Sequence, residues 1–232
     1  FSIAKVEFYA GYDYSKLLYR RISEFDSESH AGYTSFSYDD EKWDIKFTYS
    51  FNYSYLDRQD FLASNSFTPS FGFSITPDHY TSISYTHMRK NFLNGSNDRD
   101  AIYNYVGINQ FWFFWDSKAF LSLGYGFAVE DTQEPRFDYT AHSASMGLKL
   151  PLFAKVSANF NYYYNYQDYK NITASIGEQR FDASHFVGLN FNIPLNDSLD
   201  LNLSQNRTMS NSNLQTIDFV QNVSTVNLNY RF

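Results

Sequence analysis

Side chains that switch between apolar and polar with a period of two run through most of this chain, and that pattern leaves few folds open. Over 43–55, Trp43, Ile45, Phe47, Tyr49, Phe51, Tyr53 and Tyr55 alternate with Asp44, Lys46, Thr48, Ser50, Asn52 and Ser54. Over 220–232, Val226, Leu228, Tyr230 and Phe232 alternate with Thr225, Asn227, Asn229 and Arg231. Successive side chains of a strand face opposite sides of its sheet, so each segment predicts a strand with one greasy face and one wet face. About twelve such segments follow one another, the first over 2–14 with Ala4 on its greasy face, joined alternately by short turns and longer polar stretches. Strands joined in order and even in number predict an all-β fold: a closed, antiparallel, up-and-down barrel of about twelve strands, one domain over 1–232. The stretches 57–65 and 167–180 read as loops, the second as the longest of the chain.

The greasy face has to meet something. Aromatic residues make up 21% of the 232, mostly Phe and Tyr, yet the mean hydropathy is negative. A barrel in lipid needs that combination: apolar outside, polar inside, aromatic belts at both interfaces. Trp43, Trp112 and Trp115 lie near short turns, whereas Tyr53, Tyr55, Tyr164 and Tyr166 lie near long connections. Two belts at two ends predict a lipid bilayer as partner; a soluble sandwich would bury its apolar face and need no belts. No run approaches the roughly eighteen apolar residues of a membrane helix. The chain opens on strand-like sequence at Phe1, which we read as a mature or trimmed chain without its targeting segment. With no cysteine, thiol chemistry, thiolate metal sites and disulfides are excluded, and a net charge of -7 argues against nucleic acid.

The final strand, ending Tyr230-Arg231-Phe232, resembles the terminal strand of Gram-negative outer-membrane β-barrels. That resemblance implies a bacterial outer-membrane location, lipopolysaccharide as a neighbour, and Leu228, Tyr230 and Phe232 as the signal read by the outer-membrane assembly machinery. Unpaired strand edges cannot face lipid, so the last strand is expected to pair with the first and close the barrel. The polar stretches 89–100, 137–139 and 166–171 look like outer loops of barrels that follow tetratricopeptide repeats and assist surface lipoprotein display or polysaccharide export. That likeness implies a periplasmic partner module.

No catalytic constellation is legible. The outer-membrane phospholipase is similar in size and carries His-x-Ser, but none of His30, His79, His87, His142 and His185 has Ser two residues on. Without a base beside a hydroxyl there is no activated nucleophile, so the chain reads as a non-enzyme. Neither a metal set nor a cofactor motif is seen. The wet face is rich in Ser, Asn, Thr and Gly, which predicts an open lumen lined by neutral hydrogen-bonding groups. By strand phase, Lys5, Glu7, Asp44, Lys46, Lys149, Lys155, Asp200 and Arg231 point inward within a few residues of a short turn or a terminus and form a mildly positive periplasmic mouth. Strand six is apolar on both faces: Ile102, Val106, Ile108 and Trp112 on one, Tyr103, Tyr105, Phe111 and Phe113 on the other. A bulge would explain that, as would contact with a plug or partner, for which Ile102, Val106, Ile108 and Trp112 are the candidates. The expected function is a channel for small hydrophilic solutes, with an export barrel of a larger secretion system or a closed structural barrel as alternatives.

Overall fold

Every strand pairs with the next along the chain, giving one twelve-stranded antiparallel sheet in the order β1 to β12. The computed structural model describes residues 5–153 and 155–231. The strands are β1 (Lys5–Leu17), β2 (Ser27–Asp39), β3 (Trp43–Leu56), β4 (Gln59–Thr76), β5 (His79–Phe92), β6 (Ala101–Phe114), β7 (Ala119–Thr132), β8 (Tyr139–Pro151), β9 (Ser157–Thr173), β10 (Glu178–Pro194), β11 (Leu199–Ser212) and β12 (Phe219–Tyr230). Ala4 and Phe232 lie outside the described residues. Among the described residues no ladder joins β12 to β1, so the expected closing pair is not observed. The pairing reaches from Lys5↔Asp39 on β1/β2 to Leu199↔Tyr230 on β11/β12.

Register partners in an antiparallel pair share a face. Following them around the sheet gives one outward face, with Phe8, Phe36, Phe47, Phe67 and Ile83 on successive strands. Large apolar side chains stay exposed there, Phe8 and Val226 each at 70%. A water-soluble protein could not leave so much of it uncovered, whereas lipid covers it at no cost. The inner face carries Ser35, Glu130, Ser143 and Ser210, all buried.

Two expected loops are strand instead. Asp57 and Arg58 make the whole β3/β4 connection, both with left-handed backbone (φ 49 and 63). A two-residue turn of that kind matches the twist of the strands it joins, so β4 begins at once. The β9/β10 hairpin runs on to Thr173, with Gly177 at φ 73 in its turn and a bulge between Gln179 and Phe181. Both segments are polar, which resembles loop in sequence, but a hairpin above the membrane needs no greasy face.

Four of the remaining outer connections share a device. Each ends in a single 3-10 turn followed by Asp26, Asp100, Asp138 or Asp218. Each carboxylate accepts a backbone N–H from the start of its own connection or from the preceding strand end: Tyr19 at 2.7 Å, Phe92 at 2.6 Å, Thr132 at 2.7 Å and Ser212 at 2.5 Å. The side chain satisfies a backbone donor that the ladder has just released.

Candidate functional site

The inner face is where solutes would meet the protein. Its tyrosines lie along the wall, over glycines. A Cβ on Gly126 would stand 2.4 Å from Cε2 of Tyr105, one on Gly11 2.3 Å from Cζ of Tyr33, and one on Gly72 1.9 Å from the Tyr80 hydroxyl. These glycines are small because a ring rests on each, which corrects the reading of small inward residues as open space. Between the rings the wall is hydrogen-bonding and neutral, as in Ser50 with Ser66 at 2.6 Å, or the Asn192 amide donating to Asn202 at 2.8 Å.

Toward the outer ends of β5 to β10 the wall becomes ionic and aromatic. Lys90 Nζ lies 2.6 Å from Oε2 of Glu130, and the Tyr139 hydroxyl donates to the same oxygen at 2.9 Å. Tyr139 and Tyr169 pack with ring centroids 5.5 Å apart. Arg180 sits 4.4 Å above the Tyr169 ring and donates from Nε to Asp182 at 2.9 Å. The Tyr169 hydroxyl reaches Asp182 at 3.3 Å, and Lys90 lies 5.2 Å over the Tyr103 ring. Each charge is therefore paired and hydrogen-bonded, as partial burial requires. Sequence phase had not singled this cluster out, because its members come from six strands and meet only through register.

The predicted mouth charges divide. Glu7, Asp44, Lys46, Lys149 and Asp200 occupy inward positions, Lys5 holds the corresponding register position opposite Asp39, and Arg231 follows the last residue of β12. Lys155 does not lie on the wall: it sits in the β8/β9 turn with φ 64, ahead of the first residue of β9. That turn still brings it to one hollow with Asp200 and Arg231. Arg231 donates to Asp200 at 2.6 Å, and Asp44 accepts from the Tyr80 hydroxyl at 2.7 Å. Leu228 and Tyr230 face outward.

Strand six alternates regularly, with no bulge against either neighbour. Ile102, Val106, Ile108 and Trp112 point outward, the first three about half exposed, so the candidate plug contacts belong to the lipid face. The inward set packs within the sheet: Phe111 stacks on Phe113 at 6.4 Å, and Phe120 lies 6.5 Å from Phe113. Neighbouring strands therefore satisfy these rings without an inserted segment.

No protein-family model and no curated protein matches the chain. Solved structures do match. The siderophore receptor PirA from Pseudomonas aeruginosa aligns over 99% of this chain and 41% of its own, at 12% identity and a TM-score of 0.56. A loop-deleted form of OmpT, an outer membrane protein of Vibrio cholerae, aligns over 98% of this chain and 99% of its own, at 9% identity and a TM-score of 0.54. This chain has the fold of bacterial outer-membrane β-barrels. It spans about two fifths of the length of the siderophore receptor. The barrel's neighbours are thus proteins of the bacterial outer membrane, in keeping with its exposed apolar face. The expectation of a non-enzyme is overturned by the same comparison. OmpT shares this fold at 9% identity, and a fold shared so distantly does not exclude catalysis.

Proposed function

We propose that this barrel passes small hydrophilic solutes, with the Lys90–Glu130–Tyr139 cluster as its selective element on the outer side. The observation that carries this reading is the inner wall, neutral and hydrogen-bonding, with tyrosine rings seated on glycines so that they lie along it. A solute moving along such a wall exchanges water for Ser, Asn and Tyr groups at little cost. The periplasmic charges act as a second, weaker filter. Five of the eight are basic, and Asp200 is engaged by Arg231, so the balance favours anions. Single-channel recording in planar bilayers tests both parts. Conductance is expected, with a weak anion preference in a potassium chloride gradient that fades at high salt, as the Debye length falls to about 3 Å near 1 M. Converting Lys46 and Lys155 to Glu is expected to reverse the preference; an unchanged reversal potential would remove the mouth from the mechanism.

A second reading is a translocation barrel within a larger export assembly, which would fit a chain that spans about two fifths of the siderophore receptor's length. It predicts a stable complex with a periplasmic module and little solute conductance by the barrel alone.

A further inference from the structure

On the outward face, the even-numbered strands carry a polar side chain at matching places: His30, Asn65, Asn104, His142, His185 and Asn222. Five of them bond a tyrosine hydroxyl of the preceding strand. Tyr12 meets His30 Nδ1 at 2.5 Å, Tyr125 meets His142 Nδ1 at 2.7 Å, and Tyr162 meets His185 Nδ1 at 2.9 Å. Tyr49 donates to Asn65 at 2.8 Å and Tyr85 to Asn104 at 2.7 Å. In every case the partner lies two residues beyond the tyrosine's own register partner, toward the outer end.

The step between hairpins repeats as well. His30 stands opposite Tyr53, and the next bonded tyrosine, Tyr49, is four residues earlier. The same four residues separate Arg89 from Tyr85, Val129 from Tyr125, and Tyr166 from Tyr162. The net stagger is two residues per hairpin, or one per strand. One residue is about 3.3 Å along a strand and neighbouring strands are about 4.8 Å apart, so a tilt of about 35° brings these groups into one plane. That is the tilt of strands in membrane barrels. The plane also has a fixed distance from the other belt. Nine residues from each polar residue, counting both ends, stands an outward apolar one (His30 to Tyr38, Asn65 to Phe73, Asn104 to Trp112, His142 to Leu150, His185 to Ile193, Asn222 to Tyr230), with exposed Ile75 and Phe114 two residues further along β4 and β6. Strands that cross a bilayer need roughly 9–11.

We propose that this ring of His and Asn side chains is a binding surface for the polar headgroup layer of the outer leaflet and sets the depth at which the barrel sits. In the five that bond a tyrosine, that bond occupies one polar atom, and Asn104 Oδ1 also meets His87 Nδ1 at 2.9 Å. Nε2 of His142 and His185, and the amide nitrogens of Asn65 and Asn104, have no protein partner among the described residues; Nε2 of His30 lies 3.3 Å from Glu28. A nitrogen donor held at the edge of an apolar band suits the ester and phosphate oxygens of a lipid. The inference rests on the barrel spanning a bilayer, not on the channel reading, and conductance is not its readout.

The test is refolding from urea into phosphatidylcholine vesicles of stepped acyl-chain length, reading the folded fraction. A variant with Asn65→Leu, Asn104→Leu, His142→Leu and His185→Leu raises the apolar band by one outward position on four strands, about 5 Å of height. Its folding optimum is expected to move to longer chains, while the corresponding four Gln substitutions keep the wild-type optimum. An unchanged optimum in the Leu variant overturns the proposal, as does a change of oligomeric state at unchanged optimum, which would assign the ring to a second copy of the chain. Should the fourfold variant not fold, His142→Leu alone is read in the same series. A smaller shift supports the proposal; no shift, or failure in every bilayer, assigns the ring to internal structure and overturns it.

Discussion

Glu130 serves two donors with one carboxylate oxygen, so its loss strands more than its own charge. Removing it leaves Lys90 and the Tyr139 hydroxyl without their acceptor on a wall where the Glu130 side chain is only 10% exposed. Glu130→Ala is expected to lower stability by about 1–3 kcal/mol in urea unfolding from lipid vesicles. Lys170→Ala breaks a pair with Asp131 that water already reaches at both ends, and should cost less than about 1 kcal/mol. Equal losses would show that the Glu130 cluster is not held as described. Gly126 gives a second comparison. Gly126→Ala places a methyl 2.4 Å from the Cε2 edge of the Tyr105 ring, at an expected cost of about 1–3 kcal/mol. Tyr105→Ser removes the ring and leaves the Ser143 hydroxyl, a rotatable group, as the near neighbour at 2.6 Å, so the double variant should be more stable than the two losses added together. Additive losses would mean that the ring does not rest on that glycine.

The outer hairpins are one device used repeatedly. The spacing Asp-x-x-x-His or Asp-x-x-x-Asn occurs at Asp26/His30, Asp100/Asn104, Asp138/His142 and Asp218/Asn222. It was readable in the sequence, although alternation alone does not disclose it. The Asp closes the connection through a backbone N–H, and the His or Asn four residues later falls on the outward face at the membrane edge. Asp138→Ala should release the Thr132 amide, whose exchange with deuterium is expected to quicken while amides in the middle of β7 keep their protection. Unchanged Thr132 exchange would leave the carboxylate without that role. The β3/β4 hairpin needs no such clamp, since Asp57 and Arg58 complete it within two residues.

For the molecule as a whole the open question is how β12 meets β1, because unpaired strand edges cannot face lipid. The stagger that repeats between hairpins has a definite extension. Carried one step further, it sets Asn222 opposite Lys16, and hence Ser224 opposite Tyr14, Val226 opposite Tyr12 and Arg231 opposite Glu7. The apolar face stays outside, and opposite charges meet on the inside. The chain has no cysteine of its own, so Tyr12→Cys with Val226→Cys gives a clean probe. That pair is expected to form a disulfide on oxidation in the membrane. Ala10→Cys with Val226→Cys, two residues out of register, should not, since a bridge needs Cα atoms within about 7 Å. The reverse result would establish a different closure, and no bridging in either would favour a sheet completed by other strands.

Strand phase was decided locally: a residue two positions along returns to the same face, so the greasy outside and the Ser and Asn wall were legible from alternation in segments such as 43–55. The outward placement of Leu228 and Tyr230 followed in the same way. What alternation could not convey is the lateral offset between strands, since a shift of two residues preserves every face. That offset brought Lys90, Glu130 and Tyr139 together and aligned His30 with Asn65 and His142. It also decided which glycine lies under which tyrosine. Polar hairpins such as 57–65 read as loops because outside the membrane neither face must be apolar, and strand there is held by backbone hydrogen bonds that leave no period in the side chains. The sequence by itself determined which face of each strand meets lipid; the register, set by backbone pairing across the sheet, decided which side chains meet one another.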